Sequence, residues 1–311
     1  MATARDGDGL TLPAGFLAFA SRSESWATWM AALPRLIRDV LAEWSLTPDG
    51  EIRSGQTAVA VPVLTRDGER AMAKFGWPHP EAEHEHLALR AWAGRGAVRL
   101  LQADPRRSVL LLERASADRD LTTVPVLEAC EVVAGLYPLI HRRAIPQLDL
   151  LSTHAARWAD ELPRMASDGL VPRRYVTQAA GLAREFAADP ATDGVLIHTD
   201  LHYFNVLAAE REPWLVIDPK PMSGEAAYEV APMLWNRWDE AVASGNIRNA
   251  MLDRMYALVD AAGLDEERVR AWVIVRQLVN IKWALEDGPP ATVEDREGIT
   301  AAITIVKAVQ R

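Results

Sequence analysis

The stretch from Val195 to Lys220, VLIHTDLHYFNVLAAEREPWLVIDPK, constrains this chain more than any other. Its short apolar runs, Val195-Leu196-Ile197, Val206-Leu207 and Leu215-Val216-Ile217, are bounded by polar residues and read as buried strands. Polar groups stand where those strands end. Asp200 lies in His198-Thr199-Asp200, Asn205 follows five positions later, and Asp218 closes the run Trp214-Leu215-Val216-Ile217. Asp, Asn and His also crowd ordinary turns, because their side chains bond local backbone. Here the spacing, the order and the strand-loop-strand context agree with one another. Phosphoryl transfer needs such a set. One carboxylate faces the attacking hydroxyl, and an amide with a second carboxylate holds a divalent cation against the nucleotide phosphates.

The spacing H-x-D-x-x-x-x-N, then a strand that ends in Asp, is the order of the catalytic and metal-binding loops of kinases. Such a site also needs a lysine on a sheet and a glutamate that pins it. Val59, Val61 and Val63 alternate with small residues, and Arg66-Asp67-Gly68-Glu69 turns the chain into Arg70-Ala71-Met72-Ala73-Lys74-Phe75. Lys74 is placed to reach a polyanion from this second strand; the alternative is a lysine that snorkels from the surface. A helix follows from Pro80 to about Gly94. Glu85 precedes Leu89 by one turn and should share its inward face, while Glu81 lies one turn earlier and stays open as the partner. Upstream, Arg53 to Ala58 forms a short turn. Ser54 and Gly55 could cover phosphates there through backbone N–H groups, or the turn is an ordinary hairpin. Pro62, inside the strand pattern, suggests a sheet edge or a bulge.

Residues 1–28 read as a loosely ordered arm whose Phe16, Phe19, Trp26 and Trp29 point to partial docking. Pro34 is expected to open a helix with Leu33, Leu36, Ile37, Val40, Leu41 and Trp44 on one face, ending before Pro48-Asp49-Gly50. Val98 to Leu101 and Ser108 to Leu112 form the next strand pair. After Glu113 the strand signal stops. Helical patterns run over about 125–143, 152–166, 173–188, 225–243, 247–262, 265–286 and 292–310. The expected fold is α+β and protein-kinase-like, with two lobes. A small antiparallel sheet lobe with one key helix spans 1–112, a hinge 113–118, and a larger helical lobe with both loops 119–311. Adenine would lie against backbone near Glu113 and Ala115. With 311 residues and 49% hydrophobic content, the chain can bury cores for both.

The net charge of −9 argues against nucleic acid as a partner and permits a cationic substrate. The helical half offers Asp160, Glu161, Asp239, Glu240, Glu286 and Asp287 for such a ligand, with Trp235 and Trp238 as an aromatic wall. Each is also an ordinary solvated acid or core tryptophan. The one cysteine, Cys130, lies among Val132, Val133 and Leu136, a setting for a buried thiol rather than a nucleophile. His79, His84 and His86 lack the fixed spacing and the cysteines of a zinc site. The start, with Asp6 and Asp8, has no basic or apolar block of a signal peptide, and no run approaches membrane-spanning length. A soluble, cytoplasmic monomer is expected.

Leu33-Pro34, Arg53-Ser54-Gly55, Val61-Pro62-Val63-Leu64, Gly94 to Leu101, Leu110 to Arg114 (LLLER), His202-Tyr203 and Asn205 to Pro219 (NVLAAEREPWLVIDP) carry a family resemblance. Over about 30–290 the chain resembles the aminoglycoside phosphotransferases, in particular the group containing streptomycin 6-kinases and hydroxyurea phosphotransferases. The resemblance implies ATP-dependent phosphorylation of a hydroxyl on a cationic sugar-like acceptor, with the 6-hydroxyl of streptomycin as the best choice and antibiotic resistance as the outcome. Hydroxyurea, another small hydroxylated metabolite, or an inactive nucleotide-binding module are the alternatives. Carried over by position, Asp200 is the catalytic aspartate, Asn205 and Asp218 are Mg²⁺ ligands, and Lys74 with Glu85 holds the ATP phosphates. Asp239, Glu240, Trp235 and Glu286 are the acceptor candidates. The chain departs from the family at Thr199, where wider families have Gly, and at Phe204, where they have a smaller or acidic residue. Lys220 either touches phosphate or is a structural, solvated lysine. Glu229 reads as a carboxylate that accepts backbone N–H bonds from the catalytic loop rather than as an acceptor ligand, and His198 as packing behind Asp200.

Overall fold

The long helix Glu24–Glu43 carries its apolar stripe straight through a proline. Trp26, Met30, Leu33, Ile37, Val40 and Leu41 recur at helical spacing and are buried. That stripe begins eight residues before Pro34, so the helix starts at Glu24, earlier than Pro34 suggests. The Ser23 hydroxyl caps it by accepting the Trp26 N–H at 3.3 Å. Ahead of it, Phe16 is buried and meets Trp26 and Trp29 edge to face. The computed structural model describes residues 11–165, 169–286 and 292–310, so the Asp6 and Asp8 region and Asp287 lie outside the described residues. Two units divide the chain, Met1–Ala115 and Ser116–Arg311.

In the first unit an antiparallel sheet runs in the order Thr47–Pro48, Ala58–Leu64, Arg70–Gly76, Val109–Glu113 and Leu100–Asp104, and Arg53–Ser54 also pairs with Ala58–Leu64. Period-two alternation sends Val59, Val61, Val63, Ala71, Ala73 and Phe75 into one core with the long helix. Each large side chain buried there contributes roughly 1.5–3 kcal/mol. Lys74 therefore emerges on the opposite face of its strand, in register with Ala60 and Leu110. Pro62 costs the sheet little. Its carbonyl accepts the Asp49 N–H at 2.7 Å, on the side where only two-residue strands lie, so the missing N–H falls at a near-edge position.

The second unit is mostly helical and holds two three-stranded sheets. One joins Trp214–Val216, Val206–Ala208 and Ser116–Asp120; the other joins Met222–Gly224, Val195–Ile197 and Arg142–Arg143. Ser116–Asp120, with four charged or polar residues in five, gives no strand signal in the sequence. Its pairing with Val206–Ala208 supplies the order. At Gly224 a Cβ would stand 2.3 Å from Ile197 Cδ1, so a larger residue there would displace the packed Ile197 side chain. The expected helix over 225–243 is broken into Ala226–Val230, Pro232–Trp235 and Trp238–Ala243. Arg237 between the last two is left-handed at φ 55°. The buried Arg254 guanidinium stabilises this break by donating to the carbonyls of Asn236 and Arg237 at 2.8 and 2.9 Å.

Candidate active site

Strand Val195–Ile197 delivers His198-Thr199-Asp200, a 3₁₀ turn over Tyr203–Asn205 presents the amide, and Val206–Ala208 returns beside Trp214–Val216, after which Asp218 appears. Internal bonds fix this assembly. The Asn205 Nδ2 donates to the Asp200 carbonyl at 2.9 Å, and the Ile217 N–H to the Asn205 carbonyl at 2.9 Å. His198 is buried behind Asp200; its Nε2–H donates to the Ile217 carbonyl at 2.8 Å and its Nδ1 accepts the Asp200 N–H at 3.3 Å. Both bonds fit the Nε2–H tautomer, and with each ring nitrogen engaged by backbone the ring serves as a brace.

Thr199 has φ +65° and Asp218 φ +56°, a left-handed backbone that a β-branched residue rarely adopts. This explains why glycine suits position 199 in wider families. Two bonds hold Thr199 there. Its N–H donates to Glu229 Oε1 at 2.7 Å, and its hydroxyl donates to the Lys220 carbonyl at 2.7 Å. Glu229 is fully buried and has the supporting role the sequence suggests. Burial acts to raise its pKa, but the His141 imidazole 3.9 Å away and the hydrogen bond from the Thr199 N–H hold the carboxyl below its usual value.

Lys220 is not solitary. Its Nζ lies 2.6 Å from Asp200 Oδ2, a link that sequence reading misses, although the position two residues after Asp218 was the available signal. Burial pushes the Asp200 pKa up, and the ammonium of Lys220, through its charge and its hydrogen bond, outweighs it, so the carboxyl sits below its usual range. His202, a second residue with no assigned role in the sequence reading, stands 3.7 Å from Asp200 Oδ1, and burial lowers its pKa. Phe204 is half exposed and meets His202 edge on.

Asn205 and Asp218 fit a hard cation. The Asn205 Nδ2 is engaged with backbone, which directs its carbonyl oxygen elsewhere, and a carboxylate and an amide are oxygen donors of the kind Mg²⁺ prefers. No cluster of three or more His, Cys, Asp or Glu that would hold a metal occurs among the described residues. Mg²⁺ is commonly held by one or two carboxylates, with water and phosphate completing its shell.

In the first unit Lys74 Nζ lies 2.7 Å from both Glu85 oxygens. Glu81 is exposed, so Glu85 is the partner. Around Ser54 and Gly55 the hairpin alternative holds: Ser54 pairs with Val59, and the Gly55 N–H donates to the Ala58 carbonyl at 2.9 Å instead of facing outward. Glu113 ends its strand with its N–H on the Arg99 carbonyl at 2.9 Å, and Ala115 is the last residue of the unit.

In the second unit Trp235, Trp238 and Asp239 line an open groove of about 780 Å³ with Gln277 and Asn280. The two tryptophans reach it from separate helices, not from adjacent turns of one. Two expected residues lie elsewhere. Glu240 is paired with Arg237 at 2.6 Å, and Glu286 with Lys282 in a smaller groove beside Glu161.

The sequence model of a family described as aminoglycoside/hydroxyurea antibiotic resistance kinase matches residues 43–288. A streptomycin 6-kinase of Streptomyces glaucescens is 38% identical over 291 residues, covering 92% of this chain and 92% of that protein. A hydroxyurea phosphotransferase of Kitasatospora aureofaciens is 38% identical over 288 residues, covering 90% of this chain and 81% of that protein. Among solved structures, aminoglycoside phosphotransferase APH(4)-Ia in complex with ADP and hygromycin B aligns with TM-score 0.57 and 17% identity, covering 87% of this chain and 97% of that one. At that identity the likeness shows the fold, which is the kinase-like α+β fold read from the sequence.

Proposed function

Because the chain belongs to the family of aminoglycoside/hydroxyurea antibiotic resistance kinases, we infer that it transfers the γ-phosphate of ATP to a hydroxyl of an aminoglycoside, the 6-hydroxyl of streptomycin. The observation that carries this reading is the loop pair itself: Asp200 and Asn205 braced together, with Asp218 on the adjoining strand end. Asp200, held ionised by its surroundings, orients the acceptor hydroxyl and takes its proton as the phosphoryl group arrives. Asn205 and Asp218 hold Mg²⁺, which when bound offsets charge on the phosphate oxygens. Lys74, fixed by Glu85, holds the α- and β-phosphates. Residues 113–118 serve as the hinge, with adenine against the backbone of Glu113 to Ala115.

The groove of Trp235, Trp238 and Asp239 supports a cationic acceptor. A guanidinium stacks on an indole face and bonds a carboxylate through two N–H groups. Hydroxyurea is the second reading, favoured by the equal identity of the hydroxyurea phosphotransferase. It has few atoms and no charge, and a groove of about 780 Å³ suits a drug-sized ligand better. No described helix is long and apolar enough to cross a membrane. The test is MgATP turnover by the purified protein over streptomycin, other aminoglycosides and hydroxyurea. ATP-dependent loss of streptomycin is expected. Streptomycin left unmodified at millimolar concentration while another compound is phosphorylated would contradict the acceptor and leave the kinase chemistry intact.

A further inference from the structure

We propose that Lys220 is a second catalytic residue, whose ammonium bridges Asp200 and a non-bridging oxygen of the phosphoryl group during transfer. The inference rests on the phosphotransferase reading above. In the transfer the acceptor oxygen forms a bond to Pγ, the bond from Pγ to the β,γ-bridging oxygen breaks with its electron pair leaving on ADP, and the hydroxyl proton passes to Asp200. Two anions, the Asp200 carboxylate and the phosphoryl oxygens, must therefore approach the same hydroxyl from opposite sides. Their mutual repulsion opposes the transfer. A cation held between them removes it.

Lys220 is built into that place. Its Nζ lies 2.6 Å from Oδ2, one oxygen of the Asp200 carboxylate. An ammonium has three N–H donors, so one lysine can bond a carboxylate and a phosphoryl oxygen at the same time. Both backbone groups of Lys220 are tied to the catalytic loop: its N–H donates to the His198 carbonyl at 3.0 Å, and its carbonyl accepts the Thr199 hydroxyl at 2.7 Å. The residues flanking Asp200 in sequence thus set the position of Lys220, and the strained backbone at Thr199 is what presents that hydroxyl.

The test compares the wild-type protein with Lys220→Met and Lys220→Arg, with thermal unfolding as a check on fold. One assay follows transfer to streptomycin and another the slow transfer of γ-phosphate to water, which needs no acceptor. Lys220→Met should lower both rates by about 10²-fold, with the KM for MgATP within about threefold, and Lys220→Arg should recover at least tenfold of that loss. Wild-type rates in Lys220→Met would overturn the proposal, as would equal losses in the Met and Arg variants. If Lys220→Met does not fold, the wild-type crystal structure with ADP, Mg²⁺ and a metal-fluoride mimic of the phosphoryl group decides. Nζ within hydrogen-bond distance of a fluoride is expected, and Nζ on Asp200 alone would refute the bridge. Failure of the wild type to modify streptomycin while it hydrolyses ATP would instead count against the acceptor, and these comparisons in water would still decide the role of Lys220.

Discussion

Two lysine–carboxylate pairs, one in each unit, are nearly equal in length and differ in how they are made. Lys74 and Glu85 meet at 2.7 Å with 15% and 6% of their side chains exposed; Lys220 and Asp200 meet at 2.6 Å with 29% and 18% exposed. The first pair joins a strand to a helix. Strand alternation turns Lys74 away from the Ala73 and Phe75 face, and helical spacing puts Glu85 above Leu89. Regular geometry alone brings them together. The second pair joins two loops, and its geometry depends on a buried glutamate, a neutral histidine and two residues in left-handed backbone. Regular elements hold the first pair, and hydrogen-bonded loops hold the second.

Breaking these pairs one at a time separates their roles. The largest effect is expected at Asp200→Asn, which should lower kcat by roughly 10²–10⁴ while nucleotide affinity and fold persist. Steady-state kinetics with calorimetry would check both halves. Lys74→Met leaves Glu85 buried without its cation, and should cost about 3 kcal/mol of stability in urea unfolding, with weaker MgATP binding as well. Lys220→Met, in the more exposed pair, should cost less than about 1 kcal/mol in the same measurement. Equal losses would dissolve the contrast. Asp218→Ala should reduce MgATP affinity by at least about tenfold and change streptomycin affinity far less.

Two smaller effects sharpen the picture. Glu229 has a pKa below its ordinary 4.5 in the folded state, so it adds stability above that pH and loses it as pH falls through the folded value. The melting temperature of the wild type should therefore exceed that of Glu229→Gln most at neutral pH, and the gap should close on acidification. Asp239→Asn should raise the KM for streptomycin by about three- to tenfold with little change in kcat, and flatten its dependence on salt. A change confined to kcat would remove Asp239 from acceptor binding.

What could be read from the sequence follows the same division. The sheet of the first unit, its helix, Lys74 and the order Asp200, Asn205, Asp218 are written in periodicity and spacing. Pro34 and the 225–243 segment were misleading for opposite reasons. An apolar stripe overrides a proline in the long helix, whereas Arg254, distant in sequence, stabilises a break that local helix propensity does not foresee. The strand Ser116–Asp120 is invisible because its order comes from its partner. Lys220 was visible as a residue and invisible as a partner of Asp200, since the contact forms across loops whose backbone no propensity describes. Charge alone points to Glu240 and Glu286, and nearby Arg237 and Lys282 pair with them.

One measurement tests the account at its centre: purified protein, MgATP and streptomycin, with the product phosphate located by ³¹P–¹H NMR. The account predicts a phosphate ester on the 6-hydroxyl of the streptidine ring, formed by the wild type and lost with Asp200→Asn. Phosphate at that position formed at the wild-type rate by Asp200→Asn, or no phosphorylated product from any hydroxylated acceptor, would contradict it.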